Sequence, residues 1–595
     1  MEIIYIITVL MLFVSTILIK KSEEKQNVLL SITLTAILFT IYNIFLAFVF
    51  LLIKVHFSLL ALSIVNVLIS GLLFWRIYRK KEIQKYYIKI KDVVFLIVLL
   101  AVIITFAINN YKIPFEIKYQ TTDPAVHFEN AKNLYNCKTL QWDSNMPSAA
   151  INTAILFDTF DFVVSENDFY CLFIIFDLII LYLIGAVFYL GIATKIKNIK
   201  LSIVVMILSI VFLFGYPLNS VLFGYSYLTV GILYMTTLIV MAFRLKDKEL
   251  NLIPLCIEMF LIVFGIFFAY FFFVPVIYSA LGIYMLIDMI KNRKEKRISA
   301  LFTKENIIKV VVILILPTII GFCYFVLPGL LRNEGTALSA ITSEGYIYRD
   351  LYSNFMLFAP LAIFYVLYNL KNKKNSFSTI LMIISSAFTL FLLKKGLKSE
   401  VSSYYYFKMY FLLWIIVLYM NIKALMIMAK NKNSIYAYSF TIFVLGIIGI
   451  AFTGYDYKIS QINILFNPYN SINSYANVFI FNKSKIDEDN SICTKSQLDA
   501  IKFILNKTDD KKNIKINAKP LQMLWADVVW KITDTEDIRK LQIEEKLNIP
   551  EWIKDDQKKY LIILDESKEI EKENENYKTI YEVKDAIVLE KNSNI

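Results

Sequence analysis

Residues 28–53 read VLLSITLTAILFTIYNIFLAFVFLLI, a run without one charge, separated only by Gln26-Asn27 from the cluster Lys20-Lys21-Ser22-Glu23-Glu24-Lys25. A helix rises about 1.5 Å per residue, so this run outspans the roughly 30 Å hydrocarbon core of a bilayer. A backbone in hydrocarbon must satisfy its own hydrogen bonds, which makes the run a helix. Working outward, the same kind of segment recurs at 3–19, 56–75, 92–108, 169–193, 201–215, 219–243, 251–268, 270–290, 307–331, 351–369, 377–393, 406–428 and 434–452. The run over 251–290 is broken only at Tyr270–Pro275, which reads as a tight hairpin between two helices. Hydrophobic residues make up 58% of the 595 positions and mean hydropathy is +0.59, beyond what a soluble core requires. The fold class is therefore an all-α polytopic membrane protein with about 14 transmembrane helices. The first run lacks a basic leading segment and an Ala-x-Ala-like end, so it reads as a span and not as a cleaved signal.

The chain carries a net charge of +13, and the placement of that charge fixes its meaning. Basic clusters fill 20–25, 76–91, 195–200, 244–248, 291–304, 371–374 and 430–432, which are alternate gaps between the apolar runs. Cytoplasmic loops carry the excess of Lys and Arg, so these gaps are expected inside. The N-terminus and everything after Ala451 then lie outside the cell membrane. Topology and anionic lipid already account for the charge, and no nucleic-acid partner is expected. The five cysteines show no paired spacing; Cys137 and Cys493 share the outer side, where a bridge between them is conceivable.

The membrane domain is expected over 1–454, with outer loops at about 109–168, 332–350 and 394–405. Residues 455–595, mixed in charge, form an expected extracytoplasmic α/β domain. In it 496–505 reads as helix, 560–564 as a buried strand and 577–590 as a strand pair. In the first outer loop, Asp123-Pro124 opens an amphipathic helix through Tyr135, and a second short helix covers 149–157.

Asp123 and His127 lie four apart, so a helix puts both over one face beside the membrane. A carboxylate there can take a proton from a hydroxyl nucleophile while the imidazole orients it. The plainer reading is that Asp123 caps the helix and His127 packs. Asp143, Asp158 and Asp161 follow, each a candidate second carboxylate able to steer an acceptor or hold a divalent ion, with Asp143 preferred. One cluster breaks the charge rule: Lys394, Lys395 and Lys398 fall on the outer side. An anionic ligand such as a lipid-linked phosphate would explain cations there, with Tyr404 and Arg349 as further contacts. Asp177 and Glu258 lie within apolar runs without an evident partner.

A long acidic first outer loop with a juxtamembrane helix, many spans, a later Arg- and Tyr-containing loop and a soluble tail together resemble the GT-C superfamily of integral membrane glycosyltransferases. Thr121-Thr122-Asp123-Pro124-Ala125-Val126-His127-Phe128 is similar to the first-loop acidic motif of bacterial members, and Ser403-Tyr404-Tyr405-Tyr406-Phe407-Lys408-Met409-Tyr410 resembles a stretch before a late helix in such proteins. The resemblance implies inverting transfer of a sugar from a polyprenyl-phosphate carrier to a glycan or other hydroxyl acceptor on the outer face. It maps the catalytic base onto Asp123 and the lipid-phosphate contacts onto the 394–398 lysines. Three helices precede the one leading into the acidic loop, whereas many members begin with that helix. No Asp-Asp or Glu-Asp pair stands in the outer loops at 109–168, 332–350 and 394–405, so the resemblance does not fix dependence on a divalent cation (Mg or Mn), and no other cofactor is expected. The competing expectations are a lipid-linked-glycan flippase or other transporter, and a non-catalytic assembly protein. Matching halves with broken helices would mark a transporter, and none is evident.

Overall fold

The computed structural model describes residues 1–119, 123–142, 146–194, 196–247, 249–292, 302–331, 352, 355, 358–429, 493–532, 558–564 and 576–592. Among them, eleven helices are long and apolar enough to cross a membrane. Helix α1 (Glu2–Leu18) is shorter, and α2 (Val28–Ile53), α3 (Leu59–Lys80) and α4 (Ile90–Tyr111) follow it. Two helices of the first long loop, α5 (Asp123–Cys137) and α6 (Ser148–Phe160), begin where the proline and alanine patterns place them. The bundle continues with α7 (Phe169–Ala193), α8 (Ile199–Gly215), the short α9 (Pro217–Leu222), α10 (Ser226–Met241), α11 (Leu252–Ala269) and α12 (Val274–Asn292). The break between α11 and α12 falls at Tyr270, as the sequence suggests. A helical run from Lys304 to Leu331 contains α13 (Lys304–Val310), α14 (Leu316–Gly321) and α15 (Leu327–Leu331), separated by π turns ahead of Pro317 and Pro328. A proline ring has no N–H and displaces the preceding carbonyl, which widens the ladder at those points. Helices α16 (Ala359–Lys371), α17 (Phe377–Leu397) and α18 (Ser403–Met428) complete the described bundle. The expected span at 434–452 lies outside the described residues.

The basic gaps come together at one end of the bundle. Lys21 and Arg244 both pair with the buried Glu258, at 3.0 and 2.6 Å. Lys89 and Lys91 donate to the carbonyls of Thr194 and Ile196, and Lys246 donates to the carbonyl of Asn375. Lys291 reaches the carbonyl of Lys373. Two-residue strands β1 (Gln26–Asn27) and β2 (Tyr86–Tyr87) pair in the same region. Six of the clusters expected on one side are thus tied directly to one another, and 430–432 lies outside the described residues. Glu258 is accounted for as the carboxylate that fastens two loops.

The long loop, the Tyr270 break and the C-terminal unit gather at the opposite end. The C-terminal sheet has the order β3-β4-β6-β5, formed by Ile514–Asn517, Tyr560–Ile563, Ala586–Lys591 and Tyr577–Val583. Strands β3 and β4 are parallel and the others antiparallel, with α19 (Lys495–Lys507) and α20 (Pro520–Trp530) packed on them. This small α/β unit sits on the first loop. Cys493 and Ile117 exchange backbone hydrogen bonds of 3.2 and 3.0 Å, and Trp525 stacks on Tyr119. Cys137 and Cys493 are both free; Cys137 is exposed and Cys493 is buried in that bridge.

Candidate functional site

Helix α5 starts at Asp123, and its first turn is fixed by contact with the hairpin between α9 and α10. Gly224 has φ +68° and lies against Pro124; a β-carbon there would sit 2.2 Å from the Pro124 Cβ. This left-handed turn, which glycine adopts at no steric cost, lets the two backbones close and sets Asp123 beside the start of α10. The next turn brings His127 edge-on to Tyr227, with ring centroids 4.6 Å apart at 67°. Tyr227 in turn stacks on Tyr270, at 5.7 Å and 5°. Tyr270 reaches that position because Gly231 of α10 leaves room; a β-carbon on Gly231 would meet the Tyr270 Cβ at 2.9 Å.

The fourth wall comes from α18. Tyr404 and Lys408 are one helical turn apart and share a face. The Lys408 Nζ stands 4.0 Å from the Tyr404 ring centre, 5.3 Å from that of Tyr405 and 5.4 Å from that of Tyr270. Such cation–π contacts are worth about 0.5–2 kcal/mol each, most where water is excluded. Lys408 is only 9% exposed. Its charge is the one that acts on Asp123: burial pushes the Asp123 carboxyl above its ordinary value, and Lys408 pulls it down. Yet no hydrogen bond, and no ion pair within 4.0 Å, engages the Asp123 carboxylate among the described residues. The helix-cap reading of Asp123 therefore finds no bond to support it. His127 is pushed down to about 4 by burial, so its imidazole is neutral at physiological pH, and its Nε2 has no partner among the described residues.

Of the residues singled out in the sequence, the structure brings Asp123, His127 and Tyr404 to one place. Asp143 and Arg349 lie outside the described residues. The other acids of the loop are engaged: Asp158 pairs with Lys138 at 2.7 Å, and Asp161 accepts from the Tyr135 hydroxyl at 3.3 Å. Lys394 and Lys398 are exposed at the end of α17, and Lys395 pairs with Glu400. The cation set against Asp123 is thus Lys408, four residues beyond Tyr404. Lys408 stands in the sequence reading only within the 403–410 stretch and Tyr270 only as a helix break, neither as a site residue, and Tyr227 was not noted at all. The Tyr404-x-x-x-Lys408 spacing and the position of Tyr270 at the break of an apolar run were the available signals. Asp177 is buried nearby in α7, where the Ser226 hydroxyl donates to it at 3.0 Å.

No group of three or more His, Cys, Asp or Glu residues forms a metal-ligand cluster among the described residues. The arrangement as it stands offers an unengaged carboxylate, a neutral imidazole and an ammonium in an aromatic surround. It can accept a proton at one point and hold an anion at another. The sequence matches no protein-family model and no curated protein.

Proposed function

We propose that the protein is a membrane glycosyltransferase. It moves a sugar from a polyprenyl-phosphate carrier to an acceptor hydroxyl on the extracytoplasmic face. The observation that carries this reading is an unengaged carboxylate, Asp123, lying in the field of the buried Lys408 ammonium at the end of the bundle remote from the basic loops. By the positive-inside bias, the end holding Lys21, Lys89, Lys246 and Lys373 is cytoplasmic, which puts Asp123 outside.

The chemistry follows from the two charges. The Asp123 carboxylate takes the proton of the acceptor hydroxyl as its oxygen attacks the anomeric carbon. The bond from that carbon to the carrier phosphate oxygen breaks, and the electron pair leaves with the phosphate. Lys408 stabilises the negative charge that develops there, and it does so best in a site with little water. His127, neutral and with Nε2 unengaged, is placed to hydrogen-bond a ligand hydroxyl or phosphate oxygen. The apolar bundle suits a donor that enters sideways from lipid, while the C-terminal unit over α5 faces the medium from which the acceptor arrives.

Purified protein in lipid nanodiscs, incubated with a panel of polyprenyl-phosphate hexoses and pentoses and with hydroxyl acceptors, should release free polyprenyl phosphate and form a glycosylated product. Asp123→Asn should abolish this while leaving folding intact. Full activity of the Asn variant would remove Asp123 as the base.

A further inference from the structure

The placement of Lys408 raises a question of charge. A buried ammonium and a partly buried carboxylate within each other's field attract one another, and direct contact would neutralise both. They do not join: no ion pair within 4.0 Å links them, although the Lys408 charge acts on Asp123. Three tyrosine rings from two parts of the chain instead surround the ammonium: Tyr404 and Tyr405 on α18, and Tyr270 at the α11–α12 break. Each ring is itself fixed. Tyr270 is stacked on Tyr227 and set by the close approach of Gly231. Tyr404 packs edge-on to Tyr405, at 5.2 Å and 72°, and Tyr405 lies against Phe272.

We propose that Tyr270, Tyr404 and Tyr405 act together as a positioning clamp that holds the Lys408 ammonium off the Asp123 carboxylate, leaving both charges open to a ligand. The clamp rests on the reading of Asp123 as the working carboxylate, but its physical claim concerns the free protein. The ring faces compete with the carboxylate for the ammonium. Tyr404, whose ring is nearest to Nζ and whose hydroxyl also lies in the field of Asp123, is the decisive member. The other titratable groups around Asp123 are Tyr227 on α10 and His127 on its own helix. Neither is cationic at neutral pH, so neither substitutes for Lys408.

The test is the titration of Asp123 in the full-length protein without substrate. It is followed through the infrared band of its protonated carboxyl and identified by loss of that band in Asp123→Asn. In Tyr404→Leu the ammonium is released toward Asp123, and the titration midpoint should fall by about 1 to 3 pH units, as for a carboxylate gaining an adjacent cation. Tyr404→Phe keeps the ring face and should hold the parent midpoint. Adding Lys408→Met to Tyr404→Leu should cancel the fall, because the clamp works only through that lysine. A midpoint unchanged in Tyr404→Leu, or a fall that persists without Lys408, would overturn the clamp. Tyr405→Leu repeats the measurement if Tyr404→Leu does not fold. These readouts involve no sugar transfer, so a failed clamp and a failed glycosyltransferase assignment give different results.

Discussion

Pro124 closes on Gly224 so tightly that no side chain fits between α5 and the hairpin leading into α10. The contact is what carries Asp123, at the first position of α5, to the rings of Tyr227 and Tyr404. Gly224→Ala meets two obstacles, a φ of +68° and a 2.2 Å clash with Pro124. The left-handed backbone alone costs an alanine about 1 kcal/mol, and relief of the clash must push α5 outward. We expect Gly224→Ala to lose transfer activity at least tenfold, with the bundle still folded. Measuring activity beside circular dichroism separates this from general unfolding.

The acid side of the pH–rate profile should belong to Asp123. Its carboxyl is raised by burial and only partly drawn back by Lys408. A base must be ionised, so activity should fall as pH drops, with a midpoint above the ordinary carboxylate value of about 3.9. Removing the opposing charge raises the carboxyl further, and Lys408→Met should move this acid limb to higher pH while weakening donor use. His127 cannot supply that limb near neutrality, since its imidazole is pushed down to about 4. An acid limb that stays fixed in Lys408→Met would dissociate the two charges.

The helices were legible because hydrocarbon leaves the backbone one economical solution, and the break at Tyr270 and the helix starting at Asp123 were readable from local chemistry. So was the sheet unit: the expected 496–505 helix and 577–590 strand pair correspond to Lys495–Lys507 and the β5–β6 hairpin. The partner of Asp123 was not legible. Parity of charge drew attention to the lysines at 394–398, where solvent and Glu400 take up the charge. Lys408 lies near the start of an apolar run, inside the 403–410 stretch, and nothing local in the sequence tells that it faces an acid. Only the convergence of α5, α10, α11 and α18 shows what it faces. Glu258 was equally opaque, since Lys21 and Arg244 are far from it in sequence or on another element.

Lys132 offers a test of how α5 is held by the C-terminal unit. Its Nζ donates to the carbonyl of Val529 at 2.6 Å, and Phe128 one turn earlier packs against Trp525. Burial lowers the Lys132 ammonium from its ordinary value to about 8. Between pH 8 and the unfolded value near 10.4, the unfolded chain binds the proton and the folded chain does not. Stability should therefore rise with pH across that window, by at most about 3 kcal/mol. Thermal unfolding of the parent and Lys132→Met should show a gap that shifts in favour of the parent as pH climbs from 8 to 10. Parallel curves would mean that the ammonium is not desolvated by this interface.

Orientation is the premise on which the chemistry depends, and it can be read with single cysteines in a Cys137→Ser background. Lys398 is exposed at the end of α17, close in sequence to the Tyr404–Lys408 turn, while Lys81 and Lys374 are exposed at the basic end. A membrane-impermeant maleimide added to intact cells should label Lys398→Cys. It should reach Lys81→Cys and Lys374→Cys only after the membrane is opened. The native Cys137, exposed at the end of α5, should behave like Lys398→Cys in the parent protein. The reverse pattern would put Asp123 in the cytoplasm, where a lipid-linked donor of the outer leaflet could not meet it.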